Sequence, residues 1–148
     1  FKALTKQKKL LETGQYTDKT PDWVGTWDVY FPSYGYFELF IENEENGQVQ
    51  GRIEDGIGTA RFEGIITPRH INFTKLYGDC KRIALKSELT FKSVKSDYDR
   101  DAHHGRYNGV GASGVFYMEK FKGKTPLEIA LSWYHLSERD EPLQKSLL

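Results

Sequence analysis

Phe73-x-Lys75-x-Tyr77 sets an ammonium between two aromatic residues at alternate positions. In an extended strand alternate residues share one face, so Ile71, Phe73, Lys75 and Tyr77 point the same way, toward the face we assign to the interior. A lysine enclosed by apolar side chains needs a counter-charge, because an unpaired buried ammonium is costly. Asp55 has the interior parity of its own predicted strand and is the natural partner. Ser87, Tyr107 and Tyr117 extend the polar cluster, although Tyr117 competes with Phe116 and Met118 for the inward face. Three uses fit these residues. Lys75 can close an ion pair or reach out of a barrel end. It can anchor the polar group of a ligand, since a few convergent polar groups in an apolar cavity orient what binds there. It can also serve as a catalytic lysine.

A second cluster runs Asp97-Tyr98-Asp99-Arg100-Asp101-Ala102-His103-His104. Its alternating ligand-type residues resemble the front half of a calcium loop. That loop needs glycine where Ala102 stands and a bidentate glutamate where Asn108 stands. Adjacent histidines diverge on a strand, so a transition-metal site is not built either. The segment reads as a solvated loop, and no metal or cofactor is assigned. Nucleophile elbow, phosphate loop and HExxH patterns are missing. Asp28 and Glu119 are isolated carboxylates, so no catalytic residue is assigned. Lys6 to Lys9 is too short a basic run for nucleic-acid binding.

The elements that must position Lys75 and Asp55 are short strands. Period-two alternation and turn residues predict strands over 24–31, 36–44, 48–55, 59–66, 70–77, 82–93, 105–110 and 114–121. Within them Phe37, Leu39, Ile41, Val49, Ile53, Phe62, Ile83, Leu85, Leu89 and Phe91 face inward, and Glu38, Glu42, Arg52 and Glu54 face solvent. Pro32-Ser33-Tyr34-Gly35 is a predicted turn, and Asn46-Gly47 is a hairpin signal because type I′ turns need positive φ at both central residues. Closing such a meander removes its exposed edges. The prediction is an all-β fold: an antiparallel meander barrel of about eight strands over 23–122, with a helical arm and linker over 1–22 and a C-terminal helix and tail over 123–148. The arm, Ala3 to Thr13, carries Leu4, Leu10 and Leu11 among lysines and ends at Gly14. The second helix opens on Thr125-Pro126-Leu127-Glu128, a capping box. Leu127, Ala130, Leu131 and Tyr134 then fall on one helical stripe, which should pack on the barrel or plug one end.

Trp23-Val24-Gly25-Thr26-Trp27 resembles the first strand of calycin barrels: lipocalins, fatty-acid-binding proteins and avidins. The resemblance implies that Trp27 closes one barrel end and that a small molecule is bound. The chain departs from fatty-acid-binding proteins, which insert two helices after the first strand and carry Arg-x-Tyr, where Arg106 and Tyr107 are adjacent here. It departs from avidins in offering Val29 and Ile53 where biotin would need polar groups. Gly51…Asp55…Gly58, Phe73-x-Lys75-x-Tyr77, Gly105-x-Tyr107 and Gly114-x-Phe116-x-Met118 are together similar to a group of small β-barrel proteins without an assigned activity.

Composition fits such a barrel. The chain of 148 residues has room for one domain core. Its mean hydropathy is low, −0.64, but 9 Phe, 9 Tyr and 3 Trp supply large buried areas. Basic and acidic residues balance at 21 each, so no global field draws in nucleic acid. Cys80 stands alone, which excludes an intrachain disulfide and points to reducing surroundings such as the cytoplasm. No apolar run reaches the roughly 20 residues of a membrane span, and Phe1 as first residue is read as a sign of lost upstream sequence. The sequence therefore predicts a non-catalytic barrel binding a small amphipathic molecule through Trp27, Asp55, Lys75, Tyr77, Ser87 and Tyr107. A protein-interaction module with a filled barrel, and an enzyme using Lys75 and Asp55 at the barrel mouth, stay open as alternatives. Oligomeric state is not legible.

Overall fold

In the computed structural model the described residues are 15–30, 33–56, 58–67, 70–76, 89–93, 101–109 and 112–139. Eight antiparallel strands close into a barrel in sequence order: β1 Trp23–Tyr30, β2 Ser33–Glu45, β3 Gln48–Asp55, β4 Thr59–Ile66, β5 Ile71–Leu76, β6 Leu89–Ser93, β7 Ala102–Gly109 and β8 Ala112–Lys120. Each strand pairs with its neighbours, and β1 pairs with β8, so every strand has a partner on both sides. The predicted arm over 3–13, the inward residues Ile83 and Leu85, Cys80 and the tail beyond 139 lie outside the described residues.

Local chemistry explains the connections. Glu45 pairs with Gln48 across Asn46-Gly47, whose φ values of 53° and 83° are those of the predicted I′ turn. A register irregularity between Ile41 and Asn43 bends the long strand β2. Gly51 sits opposite that bend, where an added Cβ would stand 1.9 Å from the Phe40 carbonyl oxygen. The predicted turn at Pro32 to Gly35 is corrected: Ser33 and Gly35 are strand residues, paired with Tyr30 and Trp27. Pairing to β1 carries β2 further back than the Pro-Ser-Tyr-Gly composition implied.

Inward-facing residues form one apolar core of Trp23, Trp27, Phe37, Leu39, Val49, Ile53, Phe62, Ile71, Phe73, Phe91, Tyr107, Phe116, Met118 and their neighbours. Alternation holds through β8, where Phe116 and Met118 point in and Tyr117 points out. A second cluster lies on the outer face of β8, β1 and β2, formed by Tyr16, Val24, Tyr36, Val115, Tyr117, Ile129 and Trp133. Helix α1, Pro126–Arg139, lies against that face beside β1 rather than plugging a barrel end. Its capping box forms as predicted: Glu128 N–H donates to Thr125 Oγ1 at 3.2 Å, and Thr125 N–H donates to Glu128 Oε1 at 3.0 Å.

The buried stripe of α1 is a correction. Leu127, Leu131 and Tyr134 are 70%, 46% and 59% exposed, whereas Ile129 and Trp133 are buried. The helix turns its Ile129–Trp133 edge inward because Val24, Val115 and Tyr117 offer an apolar seat, and burying one tryptophan and one isoleucine removes much apolar surface from water.

Candidate functional site

Topology sets where the polar interior residues fall. The C-terminal ends of β1, β3, β5 and β7 lie at one end of the barrel, and those of β2, β4, β6 and β8 lie at the other. Asp55 ends β3 and Lys75 is the penultimate residue of β5, so both stand toward the first end. Each is 1% exposed. Lys75 Nζ donates to Asp55 Oδ2. The Asp55 carboxylate is also held by its own turn: Gly58 N–H donates to Oδ1 at 3.0 Å, and Asp55 N–H donates to the Gly58 carbonyl at 3.1 Å.

Aromatic faces complete the surroundings of the ammonium. Lys75 Nζ lies 4.1 Å from the centroid of the Trp27 ring and 5.9 Å from that of Phe91. Away from water such cation–π contacts strengthen. Tyr107 meets Trp27 edge-on at 5.1 Å and stacks on Phe91 at 5.4 Å. Trp27, Asp55, Lys75 and Tyr107 thus lie together, the Lys75–Asp55 pair as the sequence implied and Trp27 over Lys75 as an addition to it. Tyr77 and Ser87, the other two predicted site residues, lie outside the described residues. Phe91 and the Gly58 amide join the site without having been singled out. The turn Asp55-Gly56-Ile57-Gly58 carried the signal for Gly58, since an aspartate commonly receives an amide a few residues on.

Below the ion pair the barrel is packed with rings. Phe73 stacks on Phe91 at 4.9 Å with planes 9° apart, and Phe62 and Phe116 meet this stack edge-on. Among the described residues the middle of the barrel therefore holds side chains. The site's chemistry is a fixed positive charge beside a fixed negative one, facing aromatic surface.

The segment read as a solvated loop is corrected over its second half. Ala102, His103 and His104 belong to β7, paired to β8 down to Ala102 opposite Glu119. His103 points inward with its ring 5.7 Å from Trp23, and His104 points outward beside Tyr117, both buried. Asp97, Asp99 and Arg100 lie outside the described residues. Among the described residues no group of three or more His, Cys, Asp or Glu side chains could hold a metal ion.

Two carboxylates assigned to solvent are also buried. Glu38 is 0% exposed because residues 15–22 run over the outer face of β2, and Glu54, held by Arg52 and Thr59, is 7% exposed. Tyr16 N–H donates to Glu38 Oε1 at 2.9 Å, and the Tyr16 ring lies 5.6 Å from Tyr36. Burial, with Glu54 opposite, pushes the Glu38 carboxyl up to about 7 despite the strap amides. Burial beside Glu38 and Tyr16 pushes the Tyr36 phenol above its usual range, so it stays neutral. Elsewhere on the outer surface, near the β2–β3 hairpin, an open groove of about 690 Å³ is lined mainly by Glu44, Glu45, Glu63, Gln48, Gln50 and Asn72. It is polar and far from the ion pair. Compared with family models, curated proteins and solved structures, the chain matches none.

Proposed function

We propose that this barrel is a calycin-like, non-catalytic binder of a small amphipathic molecule, held at the end where Lys75 and Asp55 meet. One observation carries the reading: a fully buried lysine–carboxylate pair sits beneath Trp27 toward one end of a largely apolar, ring-filled barrel. As a source of stability alone such a pair gains little, since well-packed apolar residues in its place are often neutral or better. Its use is then to orient a polar group. Lys75 and Asp55 supply one donor and one acceptor of fixed position, and Trp27 and Tyr107 supply apolar surface for the rest of the molecule. The ring stack below limits the ligand to a shallow seat.

Titration with anilinonaphthalene sulfonate, an amphipathic fluorophore, tests this reading with Trp27 as energy donor. Saturable one-to-one binding that is lost in a folded Lys75→Met/Asp55→Asn variant is expected. Equal binding by both proteins would reject the site. A second reading is a protein-interaction module, favoured by the exposed Leu127, Leu131 and Tyr134 on α1. It requires an assembly that Leu131→Glu dissolves, measured by light scattering; a monomer in both proteins removes self-association from that reading.

A further inference from the structure

We propose that an internal water molecule sits between the strap of residues 15–22 and β2, bridging Glu38 Oε2, Tyr36 OH and Thr17 Oγ1. These three oxygens are buried, and none has a hydrogen-bond partner among the described residues. Glu38 and Tyr36 are 0% and 6% exposed. Unpaired polar atoms are rare in protein interiors, because each forfeits the hydrogen bonds it makes in water. Here they come from one neighbourhood. Tyr36 and Glu38 are alternate residues of β2 and share its outer face. Thr17 follows Tyr16, whose N–H donates to Glu38 Oε1 at 2.9 Å. The Thr17 amide and the Tyr36 phenol also bear on the Glu38 carboxyl.

Hydrogen counting selects water. The Tyr16 amide occupies Oε1 and leaves Oε2 open. Cations on the same side of the sheet are engaged by other carboxylates: Arg52 Nε lies 3.4 Å from Glu54, and Lys124 Nζ lies 3.2 Å from Glu119. A carboxylate oxygen only accepts, whereas a phenol and a threonine hydroxyl each donate one hydrogen and also accept. A phenol turned straight onto Oε2 would leave Thr17 Oγ1 without a partner. One water serves all three: it donates to Oε2 and to Thr17 Oγ1, and it accepts from Tyr36 O–H. Three hydrogen bonds is the usual number for a buried water. With a proton on Oε2 the water accepts there instead, so the same three contacts hold in either state of the carboxyl. The strap thus meets β2 through solvent at Thr17 as well as through the Tyr16 amide. Because the three oxygens are themselves shielded, this water exchanges slowly with bulk.

A high-resolution crystal structure of the whole chain tests this without any variant. One density peak about 2.8 Å from all three oxygens is expected. Tyr36 O–H donating directly to Oε2, with no peak between the residues, overturns the proposal. So does a peak ringed by oxygens at about 2.4 Å, which is a hard cation. Oxygen-17 relaxation dispersion counts long-lived waters in solution. The parent should hold one more than a Thr17→Val/Tyr36→Phe variant of unchanged circular dichroism. Equal counts in the two proteins overturn the proposal as well.

Discussion

Replacing Lys75 by methionine keeps a long, flexible side chain over Trp27 and removes the charge that faces the buried Asp55 carboxylate, which also accepts from Gly58 N–H. Breaking one side of a buried pair typically costs about 3–5 kcal/mol. A ceiling comes from proton chemistry: an orphaned carboxylate escapes by protonating, which for an ordinary aspartate at pH 7 costs about 4 kcal/mol. Asp55→Asn keeps an oxygen for Gly58 N–H and removes the negative charge facing Lys75 instead, and an ordinary lysine sheds its proton at pH 7 for about 5 kcal/mol. The two single variants should therefore slope oppositely. Lys75→Met recovers stability as pH falls toward 4, because its native state takes up a proton there. Asp55→Asn recovers as pH rises toward 10, because its native state has already lost one. The double variant should lose about 2 kcal/mol less than the sum of the singles. Urea unfolding across pH gives every number required. Additive costs, or parallel pH slopes, would refute the buried pair.

The remaining expectations concern packing and pH. Trp27→Ala should cost about 3–5 kcal/mol, because the ring is buried against Lys75, Phe91 and Tyr107; a loss below about 1 kcal/mol in urea unfolding would place it outside the core. Trp133→Ala should destabilise by a similar amount while Leu131→Gln stays within about 0.5 kcal/mol, the reverse of what the leucine stripe implies. The raised Glu38 carboxyl contributes stability fully present below its ordinary 4.5 and lost as pH rises through about 7. That loss is on the order of 3 kcal/mol, and a Glu38→Gln variant should abolish it.

Strand order, the Asn46-Gly47 turn and the inward parity of Asp55, Phe73, Lys75 and Tyr107 were legible because period-two alternation is a local signal and a closed meander requires no long-range choice. The Lys75–Asp55 partnership followed from parity plus the cost of an unpaired charge. What was not legible depends on the second layer outside the barrel. Glu38, Glu54 and His104 read as solvent-facing, and nothing local announces that Tyr16 and Trp133, nearly 120 positions apart, will cover one sheet face. The α1 stripe misled for the same reason. Three leucine-class positions outnumber Ile129 and Trp133 on the helix, yet the outward residues Val24, Val115 and Tyr117 of the strands decide which edge is buried. Trp27 over Lys75 is a cross-barrel contact that spacing cannot supply.

Native mass spectrometry of the gently purified chain bears most directly on the proposed binding role, with the Lys75→Met/Asp55→Asn variant as control. The account predicts a small-molecule adduct on the parent at one per chain, absent from a variant whose circular dichroism is unchanged. A parent that flies only at its bare mass, and stays bare after incubation with anilinonaphthalene sulfonate, would contradict it.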